Sequence, residues 1–443
     1  MACSAMRNPL LKNPTIRHYA AAAAAQCAPC GASNADVKVL GNKITVAAFD
    51  NASPLTQVSI IFKAGPRNET YETQGISHLL RICAGLTTNR SSTFAVTRNI
   101  QQLGGELTAI GDRESISYTL KITRDNLATA LNFLEDVATR QVFKPWEVSD
   151  ETPRFRHEVS NVPETVRLVE LIYKAAYREG LGYSLFSPKR QIGKINSETL
   201  SHFVANHYTG PRCAVVGSGI CLNEIESFAT GLSISSQEGC NPISKYMGGE
   251  IRKERNSELA SVALAVEGTG LKNAKDAITF AVLQKAVGDG PKVKWGSCNT
   301  PLYKALCSTK QDLFAAVSFN ASHSDTGLFG IIISAPADSA SALVKAGADF
   351  LKSPNISDCD VARGKAALKV SVLSVGDNPA LLHESIGQQA LFFGSVLSPG
   401  AIAAEIDKIT TADVQKAACQ VANGKLSMAS IGNLSNVPYL QQL

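Results

Sequence analysis

The chain has 443 residues, 44% hydrophobic and 18% charged, with 43 basic against 38 acidic side chains and a formal net charge of +5. That length exceeds what one hydrophobic core usually serves, so two or more domains are expected. The nearly balanced charge gives no electrostatic case for binding nucleic acid, and no window reaches the ~18 uninterrupted apolar residues of a membrane-spanning helix.

Nothing acidic precedes Asp36, whereas Arg7, Lys12, Arg17 and the alanine run Ala20–Ala25 do. An acid-free, Arg-containing, Ala-rich start reads as a mitochondrial presequence, which with a flexible start occupies residues 1–34. Pro9 and Pro14 interrupt any long helix there, so the signal rests on composition. "RHYA" (Arg17–Ala20) fits matrix-peptidase cleavage between Tyr19 and Ala20, which would lower the net charge from +5 to +2. Of the 11 cysteines only Cys27 and Cys30 form a C-x-x-C, with no second pair to complete a zinc site. The others read as free thiols in a reducing compartment.

"SPLTQVSIIFKAG" (Ser53–Gly65) is a β-rich run ending in glycine. "GISHLLRICAGLTT" (Gly75–Thr88) predicts an amphipathic helix: Ile76, Leu79, Leu80 and Cys83 form a core-facing stripe, and His78, Arg81 and Ile82 fall on the second face. "LTAIGDRESISYTLKI" (Leu107–Ile122) reads as a hairpin. "ETPRFRHEVSN" (Glu151–Asn161) carries Glu151 and Glu158. "IGKINSETLSHFVANHYTGPRCAVVGS" (Ile192–Ser218) predicts a capped helix, a glycine break and a short apolar strand. Within it His202 and His207, five apart, share no helical face and are expected at the surface. "GSG" (Gly217–Gly219) reads as a turn, without the remaining glycine of a dinucleotide fingerprint.

The Ser-, Gly- and Pro-rich "SSQEGCNPISKYMGGE" (Ser235–Glu250) is a natural linker. Beyond it the same signals return in the same order: "SELASVALAVEGTG" (Ser257–Gly270), "VSFNASHSDTGLFGIIIS" (Val317–Ser334) and "IDKITTADVQKAACQVANGKLSMASIGN" (Ile406–Asn433), offset by 204 to 215 positions. Two copies of one domain follow, residues 35–234 and 251–443. The expected class is α+β: two homologous α/β domains, each a mixed, mostly antiparallel sheet covered by helices. "GDGPKVKWG" (Gly288–Gly296) lacks the order of a phosphate-binding loop.

In a zinc peptidase of the inverted type, H-x-x-E-H places two histidines on one helical face as zinc ligands, with the glutamate activating water. Here those five positions are His78, Leu79, Leu80, Arg81 and Ile82. The first ligand is present, the general base is a cation and the second ligand is a hydrocarbon. Counting 76 residues on from Ile82 reaches Glu158, the spacing at which pitrilysin-type (M16) metallopeptidases carry their third ligand, with Glu151 as the second acidic residue of that helix. The chain resembles that superfamily over essentially its whole length past the start. "GISHLLR", "LTT" (Leu86–Thr88), "WEV" (Trp146–Val148), "AAYR" (Ala175–Arg178), "FNASHSDTGLFG" (Phe319–Gly330) and "SMASIGNL" (Ser427–Leu434) carry the likeness.

The residues also speak for themselves. His78 and Glu158 are two ligands where a catalytic zinc needs three plus an open position. Arg81 repels a dication and accepts no proton near neutral pH. A degenerate zinc site is therefore expected, with no catalytic residue, no metal and no cofactor, and with Glu158 paired to Arg81. The likeness implies a silent branch of the superfamily, the core subunits on the matrix side of the inner membrane in mitochondrial ubiquinol–cytochrome c reductase (complex III). Their implied partners are core protein 1, cytochrome b, cytochrome c1, the Rieske protein and small subunits, in a dimeric complex that supplies all membrane contact. The alternative is the non-catalytic α subunit of the mitochondrial processing peptidase, which holds presequences with a long glycine-rich loop. At that position this chain has only "GDGPKVKWGS" (Gly288–Ser297).

Overall fold

Alternating apolar strands followed by helical stretches build two sheets of the same design. The computed structural model describes residues 35–239, 241–291, 299–309 and 313–443. The presequence, the Tyr19–Ala20 cleavage point, Cys27 and Cys30, and residues 292–297 of the GDGPKVKWGS stretch lie outside the described residues. The first half runs β1 (Asp36–Val39), β2 (Thr45–Phe49), β3 (Leu55–Phe62), α1 (Ile76–Ile82), α2 (Thr93–Gln102), β4 (Glu106–Gly111), β5 (Ile116–Thr123), α3 (Leu127–Thr139), α4 (Pro145–Asp150), α5 (Thr152–Ser160), α6 (Glu164–Tyr177), α7 (Ser197–His207), β6 (Cys213–Ser218) and α8 (Leu222–Gly231). The second half runs β7 (Glu250–Glu254), β8 (Leu259–Glu267), α9 (Ala274–Val287), α10 (Pro301–Cys307), β9 (Ala315–Ser322), β10 (Gly327–Pro336), α11 (Ala337–Lys352), α12 (Asp358–Asp377), α13 (Pro379–Phe393), α14 (Pro399–Lys408), α15 (Thr411–Asn423) and β11 (Ser427–Gly432).

The strand orders are β1-β2-β6-β3-β5-β4 and β7-β11-β8-β10-β9. In each sheet one pair is parallel, β2 with β6 and β7 with β11, and the remaining pairs are antiparallel. Leaving aside β1, the second sheet repeats the first strand for strand, which is the mixed, mostly antiparallel design expected from the sequence repeat. The helix before the closing strand is side-chain capped in both halves, by Asn196 accepting from Thr199 N and by a Thr410–Asp413 capping box.

One face of each sheet packs on its own helices. Val58, Ile60 and Phe62 meet Leu80, Leu134 and Leu200 in the first core. Val262, Leu264 and Val266 meet Phe280, Leu343 and Val414 in the second. The opposite faces are apolar too, and each is covered by a helix from the other half. Ile386, Ala390 and Leu391 of α13 cover Ala47, Ile61, Ala214 and Val216. Leu168, Ile172 and Ala176 of α6 cover Ala263, Ala265, Ala429 and Ile431. Each large anchor contributes roughly 1.5–3 kcal/mol by leaving water. Gly387 lets α13 lie close to the sheet, since a Cβ there would stand 2.5 Å from the Ile61 Cδ1. The strands of the two sheets are thus separate in the chain, but their packing is not.

The linker is itself held. Arg67 donates to the Pro242 carbonyl at 2.8 and 3.2 Å and ion-pairs with Glu114 in the β4–β5 turn and Asp325 in the β9–β10 turn. Ser244 N donates to Asp325 at 3.1 Å. Beside this cluster Arg113 pairs with Glu170 and lies 3.6 Å over the Tyr173 ring, and the Tyr173 hydroxyl meets His323 Nε2 at 3.0 Å.

Under α13, His383 is almost fully buried, with Nε2 2.7 Å from the Ser59 hydroxyl and Nδ1 2.8 Å from the Ser218 hydroxyl. Burial pushes its pKa down to about 4. A base depressed on folding binds fewer protons folded than unfolded. Its contribution is therefore complete above the unfolded value of 6.5 and is lost as the pH falls toward 4, up to about 3 kcal/mol. Denaturant unfolding at pH 7 and pH 5 should show lower stability at pH 5. His383→Gln, which can still meet both hydroxyls, should shrink that difference; an unchanged difference would remove His383 from the account.

Candidate functional site

The helix expected over Gly75–Thr88 stops at Ile82, with Cys83 as its C-cap and Gly85 at φ +88° breaking away from helical geometry. Its second face is not a polar one. His78 and Ile82 are both buried, Ile82 within the first core, so the helix is apolar nearly all round and only Arg81 is half-buried. At the N-terminus no side chain of the N-cap residue Gly75 is available. Glu69 does that work instead, accepting from Gly75 N and Ser77 N at 2.8 Å each. Burial outweighs these two bonds and raises the Glu69 pKa to about 7. Gly75 is at φ +93°, and a Cβ there would stand 2.3 Å from the Ser187 Oγ. A glycine at 75 is what admits the Ser187 segment to the ring of His78.

His78 is sandwiched edge-on between Phe155, at 4.9 Å, and Phe186, at 5.5 Å. Ser187 N donates to its Nδ1 at 3.3 Å, so that nitrogen carries no proton. The other, Nε2, lies 3.2 Å from Glu158 Oε2 and is the donor to that carboxylate. Burial first, then the Arg81 charge, lowers the His78 pKa to about 4 against the pull of Glu158, and the ring is neutral at physiological pH. Glu158, on α5, pairs with Arg81 through the same Oε2 and with Arg154 at 3.5 Å through Oε1. Burial opposes its charge, but the bonds from Arg81 and His78 prevail and hold the carboxyl below its ordinary range.

The structure brings His78, Arg81 and Glu158 into contact, with the Arg81 guanidinium seated on the Glu158 carboxylate. Ile82 lines a cavity of about 570 Å³ together with Arg81, Tyr118, Glu151 and Arg154. Glu151 occupies the N-cap position of α5 without a side-chain capping bond and pairs with Arg154 at 3.5 Å rather than joining the centre. Among the described residues no three His, Cys, Asp or Glu side chains converge as a metal-binding group. Sequence reasoning missed Glu69, which acts six and eight residues along the chain, and Phe186 and Ser187, which act across more than a hundred residues. Phe155, three residues before Glu158 on one helical face, was within reach of the periodicity. Of the two histidines on α7, His202 is exposed, but His207 is half-buried against Phe203 with its pKa lowered by burial to about 4, so the surface expectation holds only for His202.

Comparison with known proteins supplies a context for this centre. The family model of insulinase (peptidase family M16) matches residues 45–189, and that of the peptidase M16 inactive domain matches residues 194–368. Human mitochondrial cytochrome b-c1 complex subunit 2 is 34% identical over 437 residues, covering 95% of each chain. The rat protein of the same name is 37% identical over 419 residues, 91% of each. A probable mitochondrial-processing peptidase subunit alpha-1 from Arabidopsis thaliana is 27% identical over 418 residues, 92% of this chain and 83% of its own.

A centre with His78 and Glu158 in contact lacks only one ligand and a base. Arg81→Glu with Ile82→His would supply both and remove the blocking cation. The double variant should take up a single zinc per chain in equilibrium dialysis with metal analysis, and the unaltered chain none. Failure of the double variant to bind would mean that the packing of Phe155, Phe186 and Ser187 has closed the space.

Proposed function

The chain belongs to peptidase family M16, and from that membership and the ion-paired centre we propose that it is a catalytically silent core subunit of the mitochondrial cytochrome b-c1 complex, supporting its assembly and stability. The observation that carries the silence is the Arg81–Glu158 pair. A zinc-bound water needs a three-ligand metal to lower its pKa and a base to take its proton. Here the base position holds a guanidinium, the second ligand position holds Ile82, and the remaining carboxylate is neutralised by Arg81. His78 is held neutral with its proton directed at Glu158, so neither group is available to activate water.

The identity of 34–37% with cytochrome b-c1 complex subunit 2 over nine-tenths or more of both chains, against 27% with the processing-peptidase α subunit, supports the complex III reading over the presequence-binding one. As such a subunit it would sit on the matrix side of the inner membrane, beside core protein 1 and in contact with cytochrome b, cytochrome c1, the Rieske protein and small subunits. Among the described residues no helix is long and apolar enough to cross a membrane, consistent with a place in the membrane that depends on those partners. Two halves interlocked by exchanged helices suit this role, since a scaffold must present fixed surfaces to several neighbours.

Blue-native separation of mitochondrial membranes, followed by identification of this chain in the bands, tests the reading. Comigration with cytochrome b and ubiquinol–cytochrome c reductase activity is expected. Recovery with a soluble catalytic processing subunit instead would overturn it.

A further inference from the structure

A cleft of about 220 Å³ opens on the seam between the two halves, with Lys63, just past β3, on one side and Lys272, between β8 and α9, on the other. Arg67, Glu114, Asp325 and Phe392 complete the part of the lining that matters. The two carboxylates are largely engaged, with Asp325 Oδ1 alone left buried without a hydrogen-bond partner among the described residues. Both pair with Arg67, Glu114 accepts further from Ser324 N at 3.0 Å and Ser324 Oγ at 2.6 Å, and Asp325 from Ser244 N. The lysines are not spent. Among the described residues neither Nζ meets a carboxylate or a carbonyl, and Lys63 Nζ rests 5.1 Å from the centre of the Phe392 ring. Arg212, which donates to the Lys63 carbonyl at 3.0 Å, brings one more cation near. Burial, and then the Arg212 charge, lowers the Lys63 pKa against the weaker pull of the Glu114 charge.

We propose that this cleft binds a small doubly charged oxyanion of the phosphate type, held between Lys63 and Lys272 across the seam. Lysine is a compact point charge suited to phosphate oxygens and needs no bidentate geometry. The cleft has room for one phosphate group with part of its hydration. Because the two lysines belong to different halves, the ion adds a link between them and stabilises the joined state by mass action. The site makes no use of complex membership and stands or falls apart from it.

The probe is inorganic phosphate, offered to the full chain in equilibrium dialysis at constant ionic strength set with chloride. Saturable uptake of a single phosphate per chain is expected, with sulfate competing. Lys272→Ala, at an exposed position, and Lys63→Met, which keeps the stem over Phe392, should each weaken it about tenfold. Thermal unfolding of the same proteins separates binding from the general stabilising effect of phosphate, which the variants share. The unaltered chain should gain more than Lys272→Ala as phosphate rises. Absence of saturable uptake, or uptake and stabilisation that survive both substitutions, would overturn the assignment.

Discussion

Each of the two sheets is apolar on both faces, and each half supplies cover for only one of its own. Ala47, Ile61, Ala214 and Val216 would face water without Ile386 and Leu391, which lie more than 150 residues further along the chain. The mirror-image debt is met by Leu168 and Ile172 on the second sheet. A chain built from two copies of one unit thereby becomes a single interdependent body, with neither sheet covered until both halves are present. The buried charges at the seam are a poor source of net stability, because desolvation consumes much of their attraction. Their value is positional. Arg67 finds Glu114, Asp325 and the Pro242 carbonyl together only when both hairpin turns and the linker are in register.

The repeated strand and hairpin pattern was legible because alternation is a local signal, and it recurs with matching order at β3, β4 and β5 and again at β8, β9 and β10. The exchange of α6 and α13 was not legible. The stripe Leu168, Ile172, Ala176 has the same spacing whichever sheet it covers, so periodicity cannot say whose face it meets. His383 was passed over for the same reason, its partners Ser59 and Ser218 lying in the other half. The attachment of the stretch between the halves through the Pro242 carbonyl and the Ser244 N–H was not legible, because backbone groups leave no mark in the sequence.

At the centre, the degenerate motif gave the identities of His78, Arg81 and Ile82 and, through family spacing, Glu158. What it could not give is the enclosure. Two aromatic edges, a backbone N–H from Ser187 and a buried glutamate capping α1 reach the histidine's helix from separate segments. Helix length was overread for a related reason: Leu86 and the residues before it continue an apolar rhythm, but Gly85 takes a positive φ that ends the helix earlier.

Arg81 does more than withhold a base. A carboxylate beside a buried neutral imidazole needs a counter-charge, because an isolated buried charge is costly. In a zinc peptidase the metal provides it, and the site is then only as stable as its metal supply. In this chain a guanidinium on the helix that carries His78 provides it instead, bonding α1 to α5 through Glu158. With Arg81 satisfying the carboxylate, His78 no longer has to serve as a ligand and can be held by Ser187, Phe155 and Phe186 as a packed, neutral ring. One arginine thus both occupies the carboxylate and braces α1 against α5 without a metal, with His78 and Glu158 held as parts of that brace.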